Sequence, residues 1–198
     1  MQALIVTDIQ NDFLPGGALP VPRGDEVVEV ANRLMERFER VVATQDWHPP
    51  DHESFASRHA GHHVDEVILL HGRAQILWPD HCIQDTPGAD FAPGLERGRI
   101  HHVIRKATDR EIDSYSAFFD NDHVHATGMH DLLRREGIDG ISIVGLATDY
   151  CVRYTALDAV HLGYDTTVIL QGCRGIEREP GDIDRAIAEM KAAGVRIE

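Results

Sequence analysis

The chain has 198 residues, enough for one domain with a substantial core. Apolar residues make up 42% and charged residues 26%, the balance of an ordinary globular protein. The net charge is −14, and a field of that sign repels phosphate backbones, so nucleic acid is not an expected partner while a small neutral substrate remains open.

No run approaches the ~18–20 apolar residues that span a bilayer. The first apolar run, Ala3 to Val6, stops at Asp8, too early for the core of a signal peptide. Three cysteines, Cys82, Cys151 and Cys173, cannot close a disulfide framework. The expected setting is cytoplasmic and reducing, with no membrane partner.

In chain order, Leu4 to Thr7 reads as a strand ending at Asp8. A turn-rich stretch with Pro15-Gly16-Gly17 follows. A helix is expected from Asp25 to Arg40, with Val27, Val30, Ala31, Leu34 and Phe38 on one face. Val41 to Thr44 is a second strand, leading to Asp46 and His48. Residues 46 to 100 read as mostly loop, which at that length points to a functional role. A strand around Val103 to Arg105 ends at Lys106. A helix from Gly128 to Glu136 stops at Gly137. The strand Ile141 to Val144 feeds a helix from Tyr150 to Leu162, Thr166 to Leu170 is another strand, and Pro180 opens a helix to Ala193. Val195 to Ile197 fits a short edge strand. This alternation predicts a three-layer α/β/α fold, with a central parallel sheet of five or six strands and helices on both faces, in one domain over residues 1–198.

In such a sheet, ligands bind beyond the carboxyl ends of the strands. Asp8, Asp46 with His48, Lys106 and Cys151 all follow strand ends, so they are expected around one pocket. Cys151 falls near a helix N-terminus, which favours an anion by ~0.3–1 kcal/mol. Bringing a thiol from ~8.5 to ~7 needs about 2 kcal/mol, so a cation is required as well, and Lys106 is the candidate. The N–H groups of Ala147 and Cys151 are candidates for an oxyanion hole. Taken alone, the segment fits a buried core cysteine equally well, and Asp8 with Lys106 alone fits an ion pair capping the sheet. A carboxylate near ~3.9 is a weak base for a thiol near ~8.5; either burial raises Asp8 or the thiol is strongly depressed.

Asp46 and His48 are two apart and share a side in extended chain. His81, in Trp78-Pro79-Asp80-His81-Cys82, is the candidate third ligand. Two imidazoles and a carboxylate suit a divalent metal ion, Zn²⁺ first, with Fe²⁺ or Mn²⁺ as alternatives. His52 is a further candidate whose direction Pro49-Pro50 leaves open. His59, His62, His63, His101, His102, His123 and His125 read as solvated loop residues, and Cys82 and Cys173 as packing.

Taken in order, five segments resemble the nicotinamidase/pyrazinamidase family of isochorismatase-like cysteine hydrolases. They are Thr7-Asp8-Ile9-Gln10-Asn11-Asp12-Phe13 with Gly16-Gly17; Asp46-Trp47-His48-Pro49; Trp78-Pro79-Asp80-His81-Cys82; Lys106-Ala107-Thr108-Asp109; and Gly145-Leu146-Ala147-Thr148-Asp149-Tyr150-Cys151-Val152. The resemblance covers essentially the whole chain. It implies Asp8, Lys106 and Cys151 as a catalytic triad, and Asp46, His48 and His81 as metal ligands facing the ring nitrogen of nicotinamide. It implies a cis peptide between Leu146 and Ala147, Phe13 and Trp78 sandwiching the ring, and Tyr150 near the pocket wall. The activity it implies is hydrolysis of nicotinamide, and of pyrazinamide, through a cysteine thioester. Two other readings stay open: an amidase of this fold acting on ureido or carbamoyl compounds, and a non-catalytic metal-binding metabolite sensor. Residues His59 to Ile76 and Arg110 to Asp113 vary among relatives and leave pocket access and homo-oligomer contacts undetermined.

Overall fold

A computed structural model describes all residues, 1–198. Its elements, in chain order, are β1 (Gln2–Thr7), α1 (Glu26–Met35), β2 (Val41–Asp46), β3 (Val67–Leu70), β4 (Arg73–Ile76), β5 (His102–Lys106), α2 (Met129–Arg135), β6 (Gly140–Leu146), α3 (Arg153–His161), β7 (Asp165–Arg174), α4 (Asp182–Ala192) and β8 (Arg196–Ile197). Six strands form one parallel sheet in the order β5-β2-β1-β6-β7-β8.

The central strands are buried on both faces, which is why they read as nearly unbroken apolar runs. Alternation still sorts their side chains. Ala3, Ile5, Ile141 and Ile143 pack with Met129, Leu133, Ala156 and Met190 of α2, α3 and α4. Leu4, Val6, Val41 and Ala43 pack with Val27, Ala31 and Leu34 of α1 on the other face.

The order of strands locates the crevice. From β1 the chain moves outward to β2 and β5 on one side, then returns to place β6, β7 and β8 on the other. The direction switches between β1 and β6, and their carboxyl ends flank the place where such sheets bind ligands. The two strands approach very closely there: a Cβ on Gly145 would lie 2.0 Å from the carbonyl oxygen of Thr7, so that position must be glycine.

Four features differ from expectation. Helix α1 ends at Met35 and not at Arg40, because the Arg37 N–H turns back to the Leu34 carbonyl at 2.8 Å and the chain must reverse to begin β2. Residues 46 to 100 are mostly loop, as expected, but β3 and β4 form an unforeseen antiparallel hairpin within them. Its two-residue turn, His71-Gly72, has φ of 48° and 85°, the pattern that matches strand twist. Strand β7 runs four residues beyond Leu170, past an irregularity in its pairing with β6. Finally, Cys151 lies in a single π turn, Thr148–Val152, ahead of α3.

Candidate active site

Register brings the first charged pair together. Asp46 at the end of β2 pairs directly with Lys106 at the end of β5, and the Lys106 ammonium hydrogen-bonds the Asp46 carboxylate. The same ammonium lies 3.0 Å from Asp8 Oδ2, donates to the Ser114 carbonyl at 2.9 Å, and reaches Cys151 Sγ at 3.5 Å. Asp8, Lys106 and Cys151 are therefore in one buried group, fed by three different strands. Asp8 is held by Thr44, whose hydroxyl donates to Oδ1 at 2.6 Å. Gln10 fixes Asp46 by bonding both its N–H and its carbonyl, each at 2.8 Å.

Burial decides the protonation of this group. It pushes Asp8 up to about 6, with Lys106 pulling the other way and Asp46 adding to the rise. It also pushes the Cys151 thiol well up, against the pull of Lys106. The thiol is not depressed by its helix end and Lys106, because desolvation of a buried sulfur outweighs both. Of the two alternatives, burial raises the carboxylate and does not depress the thiol. Lys106 itself loses most from burial, but Asp46 and Asp8 more than compensate and hold it charged.

Asp46, His48 and His81 offer three ligand atoms within 4.8 Å of one another, all buried. The His81 Nδ1–H donates to the Pro79 carbonyl at 2.8 Å, leaving Nε2 facing Asp46 Oδ2 at 3.9 Å. That gap is too long for a hydrogen bond but close to the separation of two ligands each about 2.1 Å from one cation. Burial lowers His81 to about 4, so the imidazole is neutral, the form that binds metal. His48 has a buried Nδ1 with no hydrogen-bond partner. The donor set fits a divalent cation.

His52, the open fourth ligand, lies with its ring 4.6 Å from that of His48. Its Nδ1 accepts the Ser54 N–H at 3.1 Å, and burial lowers its pKa to about 4. The neutral ring stands with His48 and Asp113 in a second group of buried donor atoms within 4.8 Å of one another.

Two residues escaped the sequence reading. Asp113 is buried beside His48, with Oδ1 3.4 Å from Nε2 and accepting the Ser114 N–H at 2.8 Å. Burial would raise its carboxyl, but these contacts hold it below the usual carboxylate range. Tyr115 accepts the Trp78 indole N–H at 3.0 Å. An acid seven positions after Lys106, beside the serine whose carbonyl holds Lys106, was the available signal. Two of the histidines expected in solvent also pair with acids, His102 with Glu136 at 2.7 Å and His125, 60% exposed, with Asp120 at 2.8 Å.

The triad cysteine, Asp46, His81, Phe13, Trp78 and Tyr150 all line one cavity, joined by Ala147 and Asp113, and no arginine reaches it. The Leu146–Ala147 peptide is cis. Ala107, next to Lys106, adopts φ 53°, the left-handed region where glycine is at ease.

Residues 2–197 match the family model described as the isochorismatase domain. The chain is 48% identical over 200 residues to a nicotinamidase of Escherichia coli, covering 99% of this chain and 93% of the relative. It is similar to the solved nicotinamidase/pyrazinamidase of Acinetobacter baumanii, with TM-score 0.96, 46% identity, and 99% and 94% of the two chains covered. It is likewise similar to the pyrazinamidase of Pyrococcus horikoshii solved in complex with zinc, with TM-score 0.81, 39% identity, and 100% and 98% covered.

Proposed function

The chain belongs to the isochorismatase family, and from that membership we propose that it hydrolyses nicotinamide to nicotinate and ammonia, and accepts pyrazinamide. The observation that carries this reading is a thiol in reach of an ammonium that also binds Asp8, the thiol opening on the same aromatic cavity as Asp46 and His81 of a two-histidine, one-carboxylate donor set.

Cys151 is the nucleophile. Asp8 takes its proton as the sulfur attacks the carboxamide carbon, so the thiolate exists only as the bond forms. The oxyanion is received by the N–H groups of Ala147 and Cys151. Asp8 returns the proton to the amide nitrogen, the carbon–nitrogen bond breaks, and ammonia leaves a thioester on Cys151. Asp8 then takes a proton from water as the water oxygen attacks the thioester carbon. The same proton goes to the departing sulfur, and the acid formed gives its remaining proton to ammonia and is released as nicotinate. Lys106 stays charged throughout, balancing Asp8 and Asp46 and drawing the sulfur's negative charge. Phe13 and Trp78 hold the ring, with Tyr150 at the wall.

Asp46, His48 and His81 would hold the divalent ion, Zn²⁺ first and Fe²⁺ or Mn²⁺ otherwise, whose contribution when bound is an orienting contact to the pyridine nitrogen. No helix is long and apolar enough to cross a membrane, and three free, buried cysteines support a reducing, cytoplasmic setting.

Ammonia release on incubation with nicotinamide tests the activity. No release by metal-replete protein overturns it. Trapping a Cys151 adduct by mass spectrometry tests the thioester, and an adduct-free protein under turnover counts against it.

A further inference from the structure

We propose that Arg178 is a positioning residue that determines substrate size, by tying the approach to the β3–β4 hairpin to the wall of the amide pocket. The statement about substrates rests on the amidase reading above; the tie itself does not.

The pocket beside Cys151 is small, a cavity of about 20 Å³, with room for one or two waters. A pyridine carboxamide does not fit unless a wall moves. Immediately outside lies an open groove of about 610 Å³. Tyr115 and Tyr150 line both spaces, so they form the partition between them. The opposite bank of the groove is the hairpin, through Val67 and Ile76.

Arg178 lies in the loop after β7 and reaches both banks. Its Nη2 donates to the Asp65 carbonyl at 2.6 Å and its Nε to Asp65 Oδ1 at 3.0 Å, just ahead of β3. The same guanidinium lies 5.9 Å from the centre of the Trp78 ring and lines the groove together with Tyr150. Its own loop is fixed to the nucleophile turn, because the Asp149 carboxylate accepts the N–H groups of Ile176 at 3.0 Å and Glu177 at 2.7 Å. The hairpin's other ties, His71 to Glu53 and Arg73 to Asp122, contact neither pocket aromatic. Displacing the base of the hairpin therefore pulls, through Arg178, on the Trp78 side chain at the wall of the ring site.

A plain surface ion pair would look different. Asp65 is 61% exposed, and a pair of that kind adds little to global stability. Its loss should leave the melting temperature nearly unchanged while altering access to the pocket.

The test uses the Trp47→Phe protein as background, which leaves Trp78 as the single tryptophan. Adding Arg178→Ala should raise acrylamide quenching of Trp78 in ligand-free protein by about twofold. In the otherwise native chain, Arg178→Ala should raise KM for nicotinamide about fivefold with kcat within a factor of about two. The ratio of kcat/KM for quinoline-3-carboxamide over nicotinamide should rise about tenfold. Asp65→Ala should reproduce these changes, the double variant should add little to either, and Arg178→Lys should return part of the native behaviour. Unchanged quenching in folded protein, or an unchanged size ratio, overturns the proposal. If Arg178→Ala does not fold, Asp65→Ala at its exposed position decides by the same two readouts. If the native chain does not turn over nicotinamide, the amidase reading falls, and quenching alone decides the tie.

Discussion

The ends of the sheet strands and the 55 residues between β2 and β5 build opposite sides of the same pocket by different means. At the strand ends, each functional side chain is placed by register. Asp46 faces Lys106 because β2 and β5 pair in parallel at those two residues, and Asp8 and Cys151 meet because β1 and β6 are neighbours. In the excursion from Trp47 to His101, placement depends on individual contacts. His81 is oriented by the Pro79 carbonyl, Phe55 is buried against the rings of His48 and His81, and Asp65 is held by Arg178. The strand ends supply the bond-making chemistry, and the excursion supplies a ligand and a wall. Substitutions in the first region should therefore abolish turnover or unfold the protein, and those in the second should tune binding.

The largest effect is expected for Cys151→Ala. Turnover should fall by at least about 10³-fold, as when a nucleophile is removed. The buried side chain shrinks by a single sulfur, so unfolding by denaturant should shift little. Retained turnover would mean that the pocket acts without covalent catalysis. Lys106→Ala comes next and should fail in two ways. It leaves Asp8 and Asp46 buried without their shared cation, a change that costs about 3–5 kcal/mol in comparable buried pairs. Urea unfolding measures it, and a loss under about 1 kcal/mol would show that the two carboxylates relax by other means.

Legibility followed the same division. Asp8, Lys106 and Cys151 could be grouped from the sequence because a parallel sheet leaves few places for residues that follow its strands. Helices on both faces of a parallel sheet were likewise implied by strand–helix alternation, whereas the order of the strands was not. Asp113 and Tyr115 were not readable in this way. They follow a strand, but by seven and nine residues of irregular chain, and only the folded path returns them to His48 and Trp78. The hairpin was missed because Val67 to Leu70 is apolar throughout, without the alternation that marks a half-exposed strand, and His71-Gly72 is not among the commonest hairpin turns. The choice between a raised Asp8 and a depressed thiol stayed open for a different reason. Sequence shows the nearby cation and helix end but not the depth of burial, and depth is the larger influence here.

A smaller and reversible effect is expected from pH. Asp8 must be ionised to take the thiol proton, and burial places its pKa at about 6. Because the carboxylate is the active form, kcat/KM should be full above that value and fall about tenfold per pH unit below it. A pH profile flat down to pH 5 would remove Asp8 as the base. In the excursion's support, Asp113→Asn keeps the shape but removes the charge beside His48. Metal affinity, measured by chelator competition, should weaken by about 10–100-fold, the range for a carboxylate supporting a ligand histidine. Unchanged affinity would make Asp113 a packing residue only.

The smallest effect is expected at Leu69 of the hairpin. Val67 pairs with Ile76 and Leu69 with Ala74, so these four side chains share one face of the hairpin, where Val67, Ala74 and Ile76 border the groove and Leu69 stands in solvent. Leu69 is 77% exposed, and a polar replacement there removes little buried surface. Leu69→Ser should change stability by less than about 0.5 kcal/mol and leave KM for nicotinamide unaltered, because the tie at Asp65 and the wall at Trp78 are both untouched. Phe55 belongs to the same excursion but is fully buried, and Phe55→Ala should cost about 3–5 kcal/mol. Paired urea unfolding of the two variants separates these cases. If Leu69→Ser proves as costly as Phe55→Ala, Leu69 is covered in solution, and the excursion is as tightly determined as the strand ends.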